Sequence, residues 1–474
     1  MSGLVDEVNE NIQVKNDQEK YDVKLGIREW KRYLEYKDSG VEWIGEIPKK
    51  WNIKPLKQLT EHISRGNGPD YVDQSSIKVI NQACIHWDRL NLENVKYQRE
   101  TNVSGWKGLL QKGDLLINST GTGTLGRASI FDQSGIFIVD SHVTIVRSIK
   151  NDILTNYLFY LIQTPTYQGF IYSALVSGST NQIELSREGL RATSIIVPFL
   201  SEQNYIITFL DRETSKIDTL IEKKQRLIEL LEEKRSALIS HAVTKGLDPD
   251  VKLKNSGVEW IGEIPDHWIT NKLKYISNVI SKGTTPTTIG KEILSAGEIR
   301  YLKAENITQN QVSMFPEFYI DEETNDALRR SQLKENDILF VIAGATIGKV
   351  AILEEKYLPA NTNQAVCFVR LKKVENQKFI WYWLQSRIIR ELIWLEAVQS
   401  AQPNLSMEKI GDFNVLYPPL FEQRHIANFL DRETEKIDTF INKISAQIEK
   451  LKEYRTALIS AAVTGKIDVR EEVA

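Results

Sequence analysis

Ser39–Pro48 reads SGVEWIGEIP, and Ser256–Pro265 reads SGVEWIGEIP again. A second pair follows the first: Phe209–Asp218 is FLDRETSKID and Phe429–Asp438 is FLDRETEKID. After each comes a charged, Leu/Ile-rich run that ends in Ala237-Leu-Ile-Ser240 or Ala457-Leu-Ile-Ser460. Self-similarity at a fixed interval decides the architecture before any local signal does. The interval here is too long for a solenoid and suits a whole domain plus a helix. Two copies of one unit predict a pseudo-two-fold molecule, suited to a partner that is itself two-fold.

A chain of 474 residues has room for more than one domain, each with a normal core. Its 41% hydrophobic and 26% charged residues are ordinary globular values. No apolar run reaches the roughly 18 residues of a membrane span. The opening MSGLVDEVNENIQVKNDQEKYD is acidic and polar, unlike a signal peptide, and reads as a flexible arm. The 2 cysteines, Cys84 and Cys367, fall one per copy, which is neither a disulfide framework nor a zinc pattern. A reducing, cytoplasmic setting is expected. The net charge of −3 is distributed unevenly: residues 52–198 and 269–417 are each slightly basic, and the remainder is acidic. Nucleic-acid binding is compatible with that balance, because a basic face can sit inside a neutral total.

Each copy has three parts: a Trp-containing lead-in (Trp43, Trp51; Trp260, Trp268), a variable body, and a long helix. The first helix carries a seam of Ile206, Leu210, Ile217, Leu220, Leu227, Leu231 and Leu238, with Ile221, Ile228 and Ile239 alongside. The second carries Ile426, Leu430, Ile437, Phe440, Ile444, Leu451 and Leu458, flanked by Ile441, Ile448 and Ile459. No Pro or Gly interrupts residues 201–245 or 422–464. About 40 residues make a rod of roughly 60 Å. The matching seams point to the two helices pairing with each other, antiparallel; the plainer reading packs each on its own body. The bodies read as mixed strands and helices, with strands over 114–118, 128–131, 136–139, 143–146, 337–342, 350–353 and 365–371 and helices over 156–163 and 379–386. The expected architecture is therefore α+β: an arm at 1–30, bodies at 31–198 and 246–417, helices at 199–245 and 418–468, and a tail at 469–474.

Motifs for catalysis fail on their details. Gly121-Thr-Gly-Thr-Leu-Gly126 matches a dinucleotide fingerprint, but a strand-like segment follows where a helix must start. Gly344-Ala-Thr-Ile-Gly348-Lys349 is one residue short of a P-loop and has Val350 where Ser or Thr should bind magnesium. Both read as tight, glycine-permitted strand connections. Tyr417-Pro-Pro-Leu420 lacks the amide or carboxylate of an amino-methyltransferase loop and reads as a helix lead-in. Glu232-Glu-Lys234 lies on the long helix and Glu354-Glu-Lys356 in a turn, so neither builds a nuclease centre. The 6 histidines show no metal-ligand spacing, and His142 beside Asp140 reads as a satisfied loop residue. The chain is expected to be non-catalytic.

Polar loops remain as candidates for DNA contact. In the first copy these give Arg65, Asn67, Thr120, Arg127, Ser179, Asn181 and Gln182. In the second they give Lys282, Thr284, Thr285, Lys349, Asn361, Asn363, Gln364 and Gln402. Asn and Gln can bond adenine bidentately, Arg and Lys can bond guanine, and Gly lets the backbone approach phosphate. The alternative for each is plain turn chemistry.

The paired SGVEWIGEIP segments, each followed by a Trp, resemble specificity subunits of type I restriction–modification enzymes. So do the FLDRET-x-KID segments, and so do the Ala-Val-Thr endings at Ala242–Thr244 and Ala462–Thr464, the latter running on to Gly-Lys-Ile-Asp468. Within the bodies the resemblance rests on Gly113-Asp-Leu-Leu116 with Gly126, on Asp337-Ile-Leu339 with Gly348, and on Ile183-Glu-Leu-Ser186 and Asn404-Leu-Ser406. It spans residues 33–468 and depends on the paired order of these motifs. Glu335-Asn336 departs from it by replacing a Gly before Asp337. The resemblance implies two target-recognition domains, each reading one half of a split double-stranded DNA sequence. It implies an antiparallel helical spacer that sets the gap and docks two modification subunits, with restriction/translocase subunits joining them. S-adenosylmethionine, ATP and Mg would belong to those partners, and no cofactor or membrane association to this chain. Two other readings compete: a coiled-coil scaffold whose bodies bind protein, and a self-contained methyltransferase or nuclease.

Overall fold

Each body begins and ends in the same place. Asn52–Pro55 pairs antiparallel with Ser194–Val197, with Asn52 opposite Val197. Ile269–Lys272 pairs in the same way with Asn414–Tyr417, with Ile269 opposite Tyr417. A segment zipped at its own ends is an insertion into a frame, and its interior can vary without moving the frame. The computed structural model describes residues 30–473 apart from 88, 178–182, 309, 373–375 and 399–403. The chain is mixed α/β and divides into two units: one holds residues up to 223 together with 447–474, the other holds 224–446.

In unit one the central sheet has four antiparallel strands: β1 (Thr60–Arg65), β2 (Leu115–Asn118), β3 (Ala128–Ile130) and β4 (Val143–Ser148), in the order β1-β4-β2-β3. Helix α1 (Thr155–Ile162) packs its apolar face into the core beneath it. A second sheet contains the parallel pair Ile136–Val139 and Ile77–Ile80. Helix α2 runs from Leu200 to Lys245 and crosses from unit one into unit two. Unit two repeats the plan with β5 (Ser277–Lys282), β6 (Ile338–Val341), β7 (Val350–Ile352) and β8 (Val366–Leu371), in the order β5-β8-β6-β7. Its parallel pair is Ile299–Leu302 with Ala360–Thr362. Helices α3 (Gln377–Gln385), α4 (Arg387–Val398) and α5 (Leu420–Val463) complete it, and the C-terminal part of α5 returns to unit one. The strand after Gly126 is β3, as the sequence predicts, so the glycine-rich turn joins two strands.

The long helices start on a repeated device. Gln203 Nε2 donates to the Pro198 carbonyl (3.0 Å), and Gln423 Nε2 donates to that of Pro418 (3.0 Å). Body and helix are then tied by Tyr160, whose hydroxyl donates to Asp211 Oδ1 (2.6 Å), and by Tyr382, which donates to Asp431 Oδ1 (2.9 Å). Helix α5 is followed by Gly465, whose φ is +74° and whose Cα lies so close to Pro48 that a Cβ would fall 2.4 Å from the ring. Beyond it the Asp468 N–H donates to Lys31 O (2.7 Å), so the C-terminal segment closes unit one over its own lead-in.

The helix seam differs from the expected one in three residues. Leu210, Ile217, Leu430, Ile437, Ile444 and Leu458 are buried, and Leu231, Leu238 and Leu451 are half-buried. Leu220, Leu227 and Phe440 are exposed, at 43%, 46% and 57%. Buried and half-buried residues alternate by three and four through Thr214, Ile217, Ile221, Lys224, Ile228, Leu231 and Arg235. Leu220 and Leu227 stand one residue off that stripe, about 100° round the helix, and so face outward. Ile228 and Ile448 take the inward places. The polar seam residues are paired within each unit: Arg455 Nε donates to Asp218 Oδ1 (2.9 Å) in unit one, and Arg235 Nε donates to Asp438 Oδ1 (3.0 Å) in unit two.

Candidate nucleic-acid interface

Strand register brings the candidate loops to one end of each sheet. Arg65 lies opposite Thr144, and Asn118 lies opposite Val143. The loops after β1 and β2 and the loop before β4 therefore meet. In unit two Lys282 lies opposite Cys367 and Val341 opposite Val366, which gathers the equivalent loops. The segments returning from the distal body join them: Thr120 bridges to Glu184 and Ala343 to Asn404.

Glycine is obligatory where the first loop crosses. A Cβ on Gly66 would lie 1.8 Å from the Val139 carbonyl oxygen, and one on Gly283 would lie 1.7 Å from that of Thr362. Beside each crossing sits the same side-chain turn. Asp140 Oδ1 accepts from the His142 N–H (2.9 Å), and Asn363 Oδ1 accepts from the Ala365 N–H (3.1 Å). Burial pushes the Asp140 carboxyl up, and Tyr71 beside it is pushed up to about 12 by burial and by Asp140.

The predicted contact residues separate into three groups. Asn67 in unit one and Lys282 in unit two are exposed on their loops, and in unit two Thr284 and Thr285 follow Lys282 closely, Thr285 Oγ1 donating to Gln364 Oε1. Thr120 shares a 2.8 Å hydrogen bond with His142 Nδ1, which brings His142 onto this face. A second group is occupied within the protein. The Arg65 guanidinium pairs with the Glu184 carboxylate and donates to the Leu185 carbonyl, so it holds the base of the returning segment. Arg127 donates to the Gly123 carbonyl of its own turn (2.9 Å). Asn361 corrects the expectation outright: it is fully buried, and its Nδ2 donates to Asn325 Oδ1 (2.9 Å) and Leu328 O (3.2 Å), because it belongs to the buried strand Ala360–Thr362 that pairs parallel with Ile299–Leu302. Lys349 faces a cleft of unit two. Ser179, Asn181, Gln182 and Gln402 lie outside the described residues.

The opposite end of each sheet is held by a pair that sequence reasoning missed. Arg147 Nε and Nη2 donate to Asp114 Oδ1 and Oδ2 (2.7 Å each), and Arg370 does the same to Asp337 (2.8 and 2.7 Å). Each carboxylate also accepts a backbone N–H, from Gln111 and from Lys334. The signal was present: Asp and Arg stand 33 residues apart in both copies. Gly113, with φ +97°, precedes the first Asp; Asn336, with φ +68°, precedes the second and adopts the same left-handed conformation, which Asn tolerates.

No helix among the described residues is long and apolar enough to cross a membrane, and no described group of three His, Cys, Asp or Glu is arranged to hold a metal. The profile of the "Type I restriction modification DNA specificity domain" matches residues 48–230 and 265–450. A Methanocaldococcus jannaschii protein bearing the name of the MjaX type I restriction enzyme specificity subunit is 27% identical over 443 residues, covering 90% of this chain and 96% of its own. The MjaIX specificity subunit of the same organism is 25% identical over 446 residues, with the same coverages of 90% and 96%. Among solved structures, a chain described under complex assembly and conformational transition of the type I R-M system superposes with a TM-score of 0.67. It is 13% identical and covers 89% of this chain and 99% of its own, a likeness of fold.

Proposed function

The chain belongs to the type I restriction–modification DNA specificity family, and from that premise we propose that its two bodies read the two halves of one split DNA target. The observation that carries this reading is the repeated frame with unlike loops. Both bodies are zipped at their ends, carry the same Asp–Arg pair, and turn different side chains outward at the same sheet end. Base contacts specify sequence, and phosphate contacts only position the protein. Asn67, Thr120 and His142 on one side, and Lys282, Thr285 and Gln364 on the other, are the described residues best placed to reach a duplex.

The helices α2 and α5 supply the spacer in this reading, as an antiparallel coiled coil with a pseudo-two-fold axis. The repeated Asp218–Arg455 and Asp438–Arg235 pairs support that arrangement. Their exposed apolar residues, among them Leu220, Leu227 and Phe440, suit the docking of two modification subunits. Those subunits would bring S-adenosylmethionine and the methyl-transfer chemistry, and restriction/translocase subunits would bring ATP and Mg; this chain supplies recognition and geometry and no catalytic group. A gel-shift with the purified modification partner tests the reading. Binding to one bipartite sequence in preference to scrambled duplex supports it, and no preference at low salt refutes it.

A further inference from the structure

Unit two contains a cleft of about 740 Å³ between its parts of the long helices and its body. Ile239 and Ile441 from the long helices and Ile393 from α4 form an apolar strip, and the lining also holds Glu232, Arg235 and Asp438, so that with Lys349 and Arg390 the cations outnumber the carboxylates by one. Lys349, Arg390 and Trp394 stand at the rim, and Trp394 is 63% exposed. Arg390 donates to the Ser236 hydroxyl, and among the described residues neither Arg390 nor Lys349 has a carboxylate in ion-pair range. Burial, with Arg235 and Arg387 nearby, pushes the Arg390 pKa down, and Glu391 opposes them. Arg235 itself is neutralised by Asp438.

Unit one handles the corresponding positions differently. Counting from the paired Gly126 and Gly348, Arg390 corresponds to Gln168 and Trp394 to Tyr172. Gln168 Nε2 donates to Gly126 O (3.1 Å) and Ile162 O (2.8 Å), and the Tyr172 hydroxyl donates to Leu125 O (2.8 Å). Both are consumed inside unit one. Their counterparts in unit two are a cation and an indole left facing the opening. A cleft of this volume admits a few side chains and is far too narrow for a duplex. Its complement is a segment with an apolar side chain for the isoleucine strip and carboxylates for the two unpaired cations.

We propose that this cleft docks a short acidic segment of the modification subunit, an apolar side chain seated against Trp394 and carboxylates paired with Lys349 and Arg390. The proposal rests on the reading of the chain as a specificity subunit. It makes the two docked modification subunits unequal, since among the described residues only unit two presents this rim. The test is assembly of the full chain with its purified modification subunit, followed by native mass spectrometry across a dilution series. Wild type should carry two modification subunits. Trp394→Ala and Arg390→Glu, both at exposed positions, should weaken one of them about tenfold or more and leave the other unchanged, while Tyr172→Phe leaves both unchanged. Two modification subunits held as tightly by both rim variants as by wild type would overturn the proposal. Intact assembly with lost DNA binding would also overturn it, by assigning the rim to DNA. A wild-type chain that captures no modification subunit at all would instead refute the underlying reading.

Discussion

The two units share a frame and differ in what they expose. In unit one Arg65 is tied to Glu184, Gln168 and Tyr172 bond inward, and the turn beside the crossing loop is made by Asp140. In unit two Lys282 is exposed, Arg390 and Trp394 face a cleft, and the same turn is made by Asn363. The contacts that hold strands and helices together are duplicated almost atom for atom, while the loops over them are not. On the proposed reading, stability and specificity sit on separable residues, a separation that the following variants are chosen to break.

The largest effect is expected from the buried pairs. Arg147→Met strands the Asp114 carboxylate, whose side chain is 1% exposed, and should cost unit one about 3–5 kcal/mol. Denaturant unfolding should then resolve two transitions, with unit two unshifted; Arg370→Met should give the converse. An unchanged midpoint for either variant would show that the pair does not hold the sheet end. The next effect is geometric. One heptad inserted at the middle of both α2 and α5 adds about 10 Å, or about three base pairs, to the spacer. The unread gap in the target should lengthen while both half-sites stay as they are, and a changed half-site would break the separation of frame from reader.

A smaller effect tests Asp140 against Asn363. The folded-state pKa of Asp140 is raised by burial, so its ionised form is disfavoured in the fold. Any stability it contributes is present below the unfolded carboxyl pKa and is lost as pH rises through the folded value. Asp140→Asn keeps the turn acceptor, as unit two already does, and removes the buried charge. It should raise Tm by about 2 °C at pH 8 and not at pH 4. A variant less stable than wild type at pH 8 would show that the carboxylate has a partner worth its burial. The smallest effect concerns His267, whose pKa is raised by its 2.8 Å contact with Glu422. That contribution is full below the unfolded imidazole pKa and vanishes as pH rises through the folded one. His267→Gln should therefore cost no more than about 0.5 kcal/mol at pH 6 and nothing at pH 9. A loss that persists at pH 9 would assign the contact to neutral packing.

The frame was readable because it is written twice. Trp51 and Trp268 are both fully buried, and the FLDRET segments both lie in long helices, at Leu200–Lys245 and Leu420–Val463, the second ending earlier than the expected 468. The seam was readable only to within one residue, because Leu220 and Leu227 look as apolar as Ile221 and Ile228, and only the helical angle separates them. The reading surface was the least legible. Nothing local to Asn361 says that it lies in a buried parallel strand, and nothing local to Arg65 says that Glu184, 119 residues away, claims its guanidinium. Such contacts are set by strand register between distant segments. The Asp114–Arg147 pair shows the exception, since a contact repeated at one spacing in both copies can be found from sequence.

Exchange of residues 52–198 for the corresponding body of another family member, followed by methylation mapping of DNA from cells that carry the hybrid and its modification partner, tests the central claim most directly. The strand zipper from Asn52 to Val197 places both junctions side by side on the frame. The account predicts a target in which one half-site is replaced and the other half-site is retained. Replacement of both halves, or of neither, would contradict it.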